Sequence, residues 1–233
     1  MGNSYIPSDG QILPTDRTQM YPVGDTLPVD ELDSGSFLLA GPAMSGKHDL
    51  LLDLLAEGAK SGEGVLIVTT NRGAESVFEA IEARLGRVPE GFRIVDCVSE
   101  RGGGDVGYPE ERVEYVSSPA DLTGIGIGVS EQLRRLAESD IARVRVGFHS
   151  LSTLLMYAEL EAVFRFIHVL SGRIEGIDGL GFFTLDPTTH DENTVNTLKQ
   201  LFDGMIELRE ADGEPEVRVV GVSEVGDEWV PRA

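Results

Sequence analysis

The sequence predicts a three-layer α/β/α fold around a mainly parallel central sheet, closed by a C-terminal antiparallel hairpin. Apolar runs of strand length alternate with helix-period segments along most of the 233 residues, the order that crossovers between parallel strands produce. Val65-Leu66-Ile67-Val68-Thr69 is a continuous, mostly β-branched run, as a strand covered on both faces requires. A glycine-rich loop sits between the strand-like Ser36-Phe37-Leu38-Leu39-Ala40 and the leucine-rich Asp49-Leu50-Leu51-Leu52-Asp53-Leu54-Leu55.

Taken in order, residues 1–26 carry no sustained period and read as a flexible or loosely docked arm, which leaves one domain over residues 27–233. Leu27 to Gly35 reads as a turn into the first strand, and helical spacing then runs from about Gly46 to Ala59. After the strand at Val65, Asn71-Arg72-Gly73 turns the chain into a helix over Ala74 to Leu85, and a strand follows at Phe92 to Val98. Glu100 to Glu114 reads as an exposed excursion with a short strand after it at Val113 to Val116. A helical region continues to Arg135, a strand spans Arg143 to Phe148, and one long helix is expected from Thr153 to Arg173. Its Leu155, Phe164, Ile167 and Leu170 are assigned to the core, and His168 to the core or its boundary. Strands at Leu180 to Leu185 and Gly204 to Leu208 flank a helix capped by Asp191, and Val217 to Val222 with Glu228 to Val230 forms the terminal hairpin.

Composition narrows the chemistry. The net charge is −21, from 40 acidic against 19 basic residues, so the surface repels nucleic acid and anionic membranes in ordinary buffer. No apolar run reaches the ~20 residues of a membrane helix, and the N-terminus lacks a signal-peptide core. A cytoplasmic protein without membrane insertion is the expectation. Cys97 stands alone, which excludes an internal disulfide and a cysteine-paired zinc site.

The loop Gly41-Pro42-Ala43-Met44-Ser45-Gly46-Lys47-His48 follows the Gly-x4-Gly-Lys pattern of a phosphate-binding loop. Its backbone N–H groups and the following helix N-terminus cradle an anion, and Lys47 reaches the terminal phosphates. Only its last position departs from the pattern: the hydroxyl that would ligate Mg²⁺ is replaced by His48. Gly124-Ile125-Gly126-Ile127-Gly128 looks superficially similar, but no lysine follows it, and it is assigned to packing or a turn.

With this loop, the Ser-Leu-Ser run after Phe148 and the closing strand-helix-strand, residues 27 to 229 resemble the RecA-superfamily P-loop NTPase fold of the KaiC and GvpD type. Ser117 to Ile127 is similar to the matching stretch of KaiC-like proteins from halophilic archaea. The resemblance implies ATP or ADP as ligand and a homo-oligomer or protein partner. It also implies an aspartate at the position of His149, holding Mg²⁺, and a water-activating glutamate near Asn71 and Arg72. With His48, three positions devoted to metal or water then lack the required chemistry, since Mg²⁺ prefers oxygen ligands. This weighs against Mg²⁺ and against catalysis.

The expected protein is therefore a regulatory or scaffold pseudo-ATPase that holds nucleotide with little or no hydrolysis. The rivals are an active ATPase using another carboxylate, such as Asp186 or Glu75, and a recombination ATPase, which the acidic surface disfavours. His48 and His149, as two histidines without a third ligand, fall short of a zinc site. A protonated imidazole taking over part of the cation's role, or histidine merely filling space, are the other readings. The spread of acids along the whole chain fits a salt-loving archaeon, where multimolar salt shrinks the Debye length to ~3 Å or less. The melting temperature is thus expected to climb from dilute buffer to multimolar KCl; equal melting at both ends counts against a salt-adapted surface.

Overall fold

The computed structural model describes residues 19–99, 107–139, 141–222 and 227–232. Two short strands, β1 (Met20–Pro22) and β2 (Glu31–Asp33), pair antiparallel apart from the main sheet. Tyr21, Val23, Leu27 and Leu32 are buried there, and the Tyr21 hydroxyl donates to the Asp178 carbonyl at 2.8 Å. Of the arm expected over residues 1–26, residues 1–18 lie outside the described residues, while 20–26 pack into the fold. The apolar faces of Tyr21 and Leu32, too short to show a period, make the difference.

The main sheet takes β3 (Gly35–Ala40), β4 (Gly64–Thr69), β5 (Phe92–Asp96), β6 (Val113–Tyr115), β7 (Val144–His149), β8 (Leu180–Leu185) and β9 (Gly204–Ala211), all mutually parallel. β10 (Glu214–Val220) and β11 (Val230–Pro231) add antiparallel strands, giving the order β11-β10-β9-β3-β8-β7-β4-β5-β6 among the described residues. Asp212 and Gly213 make the β9–β10 turn, both at positive φ. The hairpin thus begins one strand earlier than the sequence suggests, and β11 extends it.

Successive strand residues face opposite sides. Phe37, Leu39, Val65 and Ile67 pack under α1 (Lys47–Lys60) and α2 (Ala74–Leu85). Leu38, Ala40, Leu66 and Val68 pack under α3 (Leu122–Ala137), α4 (Leu151–Tyr157), α5 (Leu160–Glu175) and α6 (Glu192–Lys199). The glycine run 124–128 lies within α3, where a Cβ on Gly128 would come within 3.3 Å of Val95, so it serves close packing. The single helix expected over Thr153 to Arg173 is two helices, because Ala158 and Glu159 are extended. No proline or glycine marks that break, and the core spacing continues across it. Leu155 and Phe164 are half-buried, Ile167 and Leu170 are buried, and His168 is exposed on α5, outside the core assigned to it. Of the excursion expected over 100–114, residues 100–106 lie outside the described residues, and the Tyr108 ring packs on Phe78 at 4.1 Å.

β7 is the strand that positions α1. Val144, Val146 and Phe148 face α3 and α5, whereas Arg145, Gly147 and His149 occupy the α1 side. A Cβ on Gly147 would stand 2.8 Å from Leu55, so the glycine lets α1 cross directly over the strand. Arg145 is fully buried and forms a bidentate pair with Glu63, at 2.8 and 2.9 Å. It also donates to the carbonyls of Leu54 in α1 and Pro22 in β1. Removing one partner of a buried pair strands the other charge, at a cost of about 3–5 kcal/mol. Glu63→Ala is expected to lower the unfolding free energy by that amount in denaturant titrations at multimolar KCl.

Candidate functional site

The register puts four loops at one edge of the sheet. Ala40 is level with Leu185, and Thr69 with His149, so the segments after β3, β8, β7 and β4 emerge side by side at the carboxyl ends, where open α/β sheets bind ligands. The loop Gly41 to Lys47 leads into α1, with Gly46 as N-cap at φ 79° and no side-chain cap. A Cβ on Gly46 would meet the Arg232 guanidinium at 2.6 Å, and one on Gly41 would meet Ser45 Oγ at 2.5 Å. Met44, at the loop crest between Ala43 and Ser45, takes φ 63° with its side chain fully exposed. A non-glycine residue in the left-handed region marks local strain of the kind functional loops carry.

Lys47 Nζ donates to the Pro42 carbonyl at 2.8 Å and lies 4.0 Å from Asp186 Oδ2. Burial lowers its pKa, and the Asp186 carboxylate partly offsets this. Asp186 is itself buried; its Oδ1 accepts from the Thr188 N–H and hydroxyl, and its N–H donates to Ser152 Oγ. It thus caps the turn at Pro187 and faces the lysine as well. Glu75, the other alternative carboxylate, is exposed in the first turn of α2.

The His48 and His149 rings lie against each other, their centroids 4.4 Å apart and their planes tilted by 37°. His149 is 6% exposed, and its Nδ1 lies 2.8 Å from Thr184 Oγ1. Thr184 Oγ1 also lies 3.4 Å from the Phe148 carbonyl; with its hydroxyl assigned to that carbonyl, the oxygen accepts from Nδ1–H and the neutral ring keeps its lone pair on Nε2. His48 Nδ1 is buried with no hydrogen-bond partner among the described residues. Burial, then Arg72 and Arg84, push His48 down to about 4, against the opposing pull of Asp49. His149 is pushed down to about 3 by burial first, then by His48, Arg72 and Lys47. Both rings are neutral at pH 7.

Asn71 and Arg72 are exposed in the loop after β4, where Thr69 Oγ1 donates to the Arg72 carbonyl at 2.7 Å. Neither supplies a carboxylate. Two neighbours escaped the sequence reading. Asp96, wholly buried, caps α2 through the Ala74 N–H at 2.7 Å. Arg232 donates to the Gly46 carbonyl and to Asp53, tying the end of the chain to the loop. Its distance from the loop in sequence left no local signal. Among the described residues no group of three or more His, Cys, Asp or Glu could hold a metal ion. None of the described helices is long and apolar enough to cross a membrane.

The fold is RecA/KaiC-like. A KaiC-like protein from the hyperthermophilic archaeon Pyrococcus horikoshii superposes with a TM-score of 0.65 at 14% identity, over 92% of this chain and 94% of that one. Residues 34–208 match the family of unknown function DUF7504, and the chain belongs to that family. A search of the curated proteins finds no match.

The depressed imidazole pKa values set an acid dependence. An unfolded histidine titrates near 6.5, so between that value and about 3 to 4 the unfolded chain binds more protons than the folded one. The stability of the neutral stack is intact above pH 6.5 and is lost as pH falls through the folded values. Thermal melts between pH 6.5 and about 5 are expected to show a shallower fall for His48→Asn than for the unaltered chain.

Proposed function

We propose that this chain is a catalytically impaired RecA/KaiC-like nucleotide-binding protein of the haloarchaeal type, acting in the cytoplasm as a regulatory or scaffold module. Gly41 to Lys47 hold the phosphates of ATP or ADP, and hydrolysis is slow or absent. The observation that carries this is the stack of His48 on His149 beside Lys47. At the two places where a phosphate-binding loop and its neighbouring strand offer oxygen to Mg²⁺, this chain offers imidazole, which fits a hard cation poorly. Asn71 and Arg72 add no group that removes a proton from water. Phosphoryl transfer leans on the ion to neutralise developing charge and on an orienting group to place the nucleophile. Losing both slows turnover by orders of magnitude while leaving the cradle able to bind.

The working unit is the domain over residues 27–233 together with the β1–β2 pair. A homo-oligomer or protein partner completes the reading, supported by the exposed Met156 and Tyr157 at the end of α4; the acidic surface speaks against nucleic acid. Bound nucleotide then acts by favouring one conformation over another, to the extent that it binds the two unequally. A second reading is an active ATPase that uses the buried Asp186 carboxylate, and the 4.0 Å from its Oδ2 to Lys47 Nζ supports it.

Fluorescent ATP, titrated at multimolar KCl with and without Mg²⁺, separates the two. Binding is expected to gain nothing from Mg²⁺ and to be weakened more than about tenfold by Lys47→Ala, the scale of a charge-assisted hydrogen bond. Phosphate release at enzymatic rates, lost in both Lys47→Ala and Asp186→Asn, establishes the second reading instead.

A further inference from the structure

The disagreement between a phosphate cradle and an imidazole pair has a chemical resolution. We infer that His48 and His149 together take up one proton when the loop binds a metal-free nucleoside triphosphate, so that an imidazolium stands where a phosphate-binding loop ordinarily holds its divalent cation. This rests on the nucleotide-binding reading above and specifies its ligand: the free polyphosphate anion plus a proton, rather than its magnesium complex.

Three geometric facts converge on it. His48 lies in the first turn of α1, next to Lys47, where the helix dipole and the loop N–H groups favour an anion. Its Nδ1 is buried and unpartnered, a donor position left open once the ring is protonated. His149 is held from behind by Thr184, so its Nδ1–H is already engaged and its Nε2 remains the basic nitrogen. The rings are 4.4 Å apart, too close for both to carry charge, so a single proton is shared by the pair.

Every charged element around the stack bears on the titration. Arg72 after β4, Arg84 on α2 and Lys47 on α1 oppose protonation, and Asp49 on α1 favours it. Asp49 is exposed and engaged by Arg84 at 3.3 Å. Asp186 after β8 faces Lys47 rather than the rings. Burial and these cations keep both imidazoles neutral in the absence of anion. One unit of negative charge at about 5 Å raises a pKa by about two units at an effective dielectric near 20. Two such charges carry His48 from about 4 past neutrality.

The test is calorimetric titration of ATP in EDTA and multimolar KCl, in two buffers of different ionisation enthalpy, near pH 7. The unaltered chain is expected to absorb about one more proton per ATP than His48→Gln, the comparison cancelling the nucleotide's own titration. Its affinity is expected to fall by up to about tenfold per pH unit between pH 7 and 9, the slope of a single linked proton, and by less in His48→Gln. Because a substitution at His149 risks the fold, imidazole ¹³C shifts of the unaltered protein supply the second readout: one buried ring is expected to become protonated on ATP addition at pH 7.5. ATP binding with equal proton uptake in both proteins, or with both rings still neutral, overturns the inference while leaving the nucleotide site standing. Binding that Mg²⁺ tightens tenfold or more, with the proton uptake lost, overturns it too. No ATP binding at any pH removes the nucleotide-binding reading itself, and the inference with it.

Discussion

The position of α1 on the sheet is the constraint from which the site follows, and the guanidinium of Arg145 sets it. Four of its five N–H donors are spent on Glu63 just beyond α1, on the Leu54 carbonyl within it, and on Pro22 in β1. Two glycines make room: a Cβ on Gly58 would collide with this ion pair, and one on Gly147 would collide with Leu55. Helix α1, strand β7 and strand β1 are thereby locked in one register at the amino end of β7. At its other end the same strand delivers His149, and the same helix delivers Lys47 and His48. A buried pair of this sort is weak evidence for stability, because desolvation offsets much of the Coulomb gain; its value lies in allowing only one arrangement.

This division explains what the sequence makes legible. Elements whose information is local are readable: α2 over Ala74–Leu85 and β8 over Leu180–Leu185 coincide with the expected spans, and the loop at Gly41 is recognised from eight consecutive residues. What depends on distant partners is not. The alternation Val144, Val146, Phe148 against Arg145, Gly147, His149 shows that one face of β7 is unusual, but the partner of Arg145 lies 82 residues away. The break between α4 and α5 has no proline or glycine to announce it. β1 and β2 are three residues each, shorter than any period. His48 departs from the loop pattern within the eight residues themselves, whereas His149 is singled out only by the family resemblance; that the two rings touch is tertiary.

The acidic composition and the phosphate cradle pull against each other, and the distribution of cations reconciles them. A net charge of −21 repels a polyphosphate at long range, and salt screens exposed acids more effectively than charges sheltered at the site. The cations nearest the loop are not equally available. Arg84 is bonded to Asp53 and Asp49, and Arg232 to Asp53 and the Gly46 carbonyl. Arg84 thus braces α1 and Arg232 the loop, and both are already neutralised by carboxylates.

Lys47 is held too, though more weakly: it donates to the Pro42 carbonyl and faces Asp186 at the limit of an ion pair. On the proposed reading, an arriving phosphate exchanges the carbonyl for a stronger, charge-assisted bond, which the lysine's partial burial makes more favourable. Lys47, the exposed Arg72 and a set of backbone dipoles still leave much of a triphosphate's charge uncompensated beside the half-buried lysine, where uncompensated charge is costly. Something must supply the difference. In most cradles of this kind a divalent cation does so, held by oxygen; here the adjacent groups are two neutral rings with proton capacity in reserve. On the nucleotide-binding reading proposed above, a site so furnished favours ligands in proportion to the positive charge they recruit, and its occupancy then follows proton activity as well as nucleotide concentration.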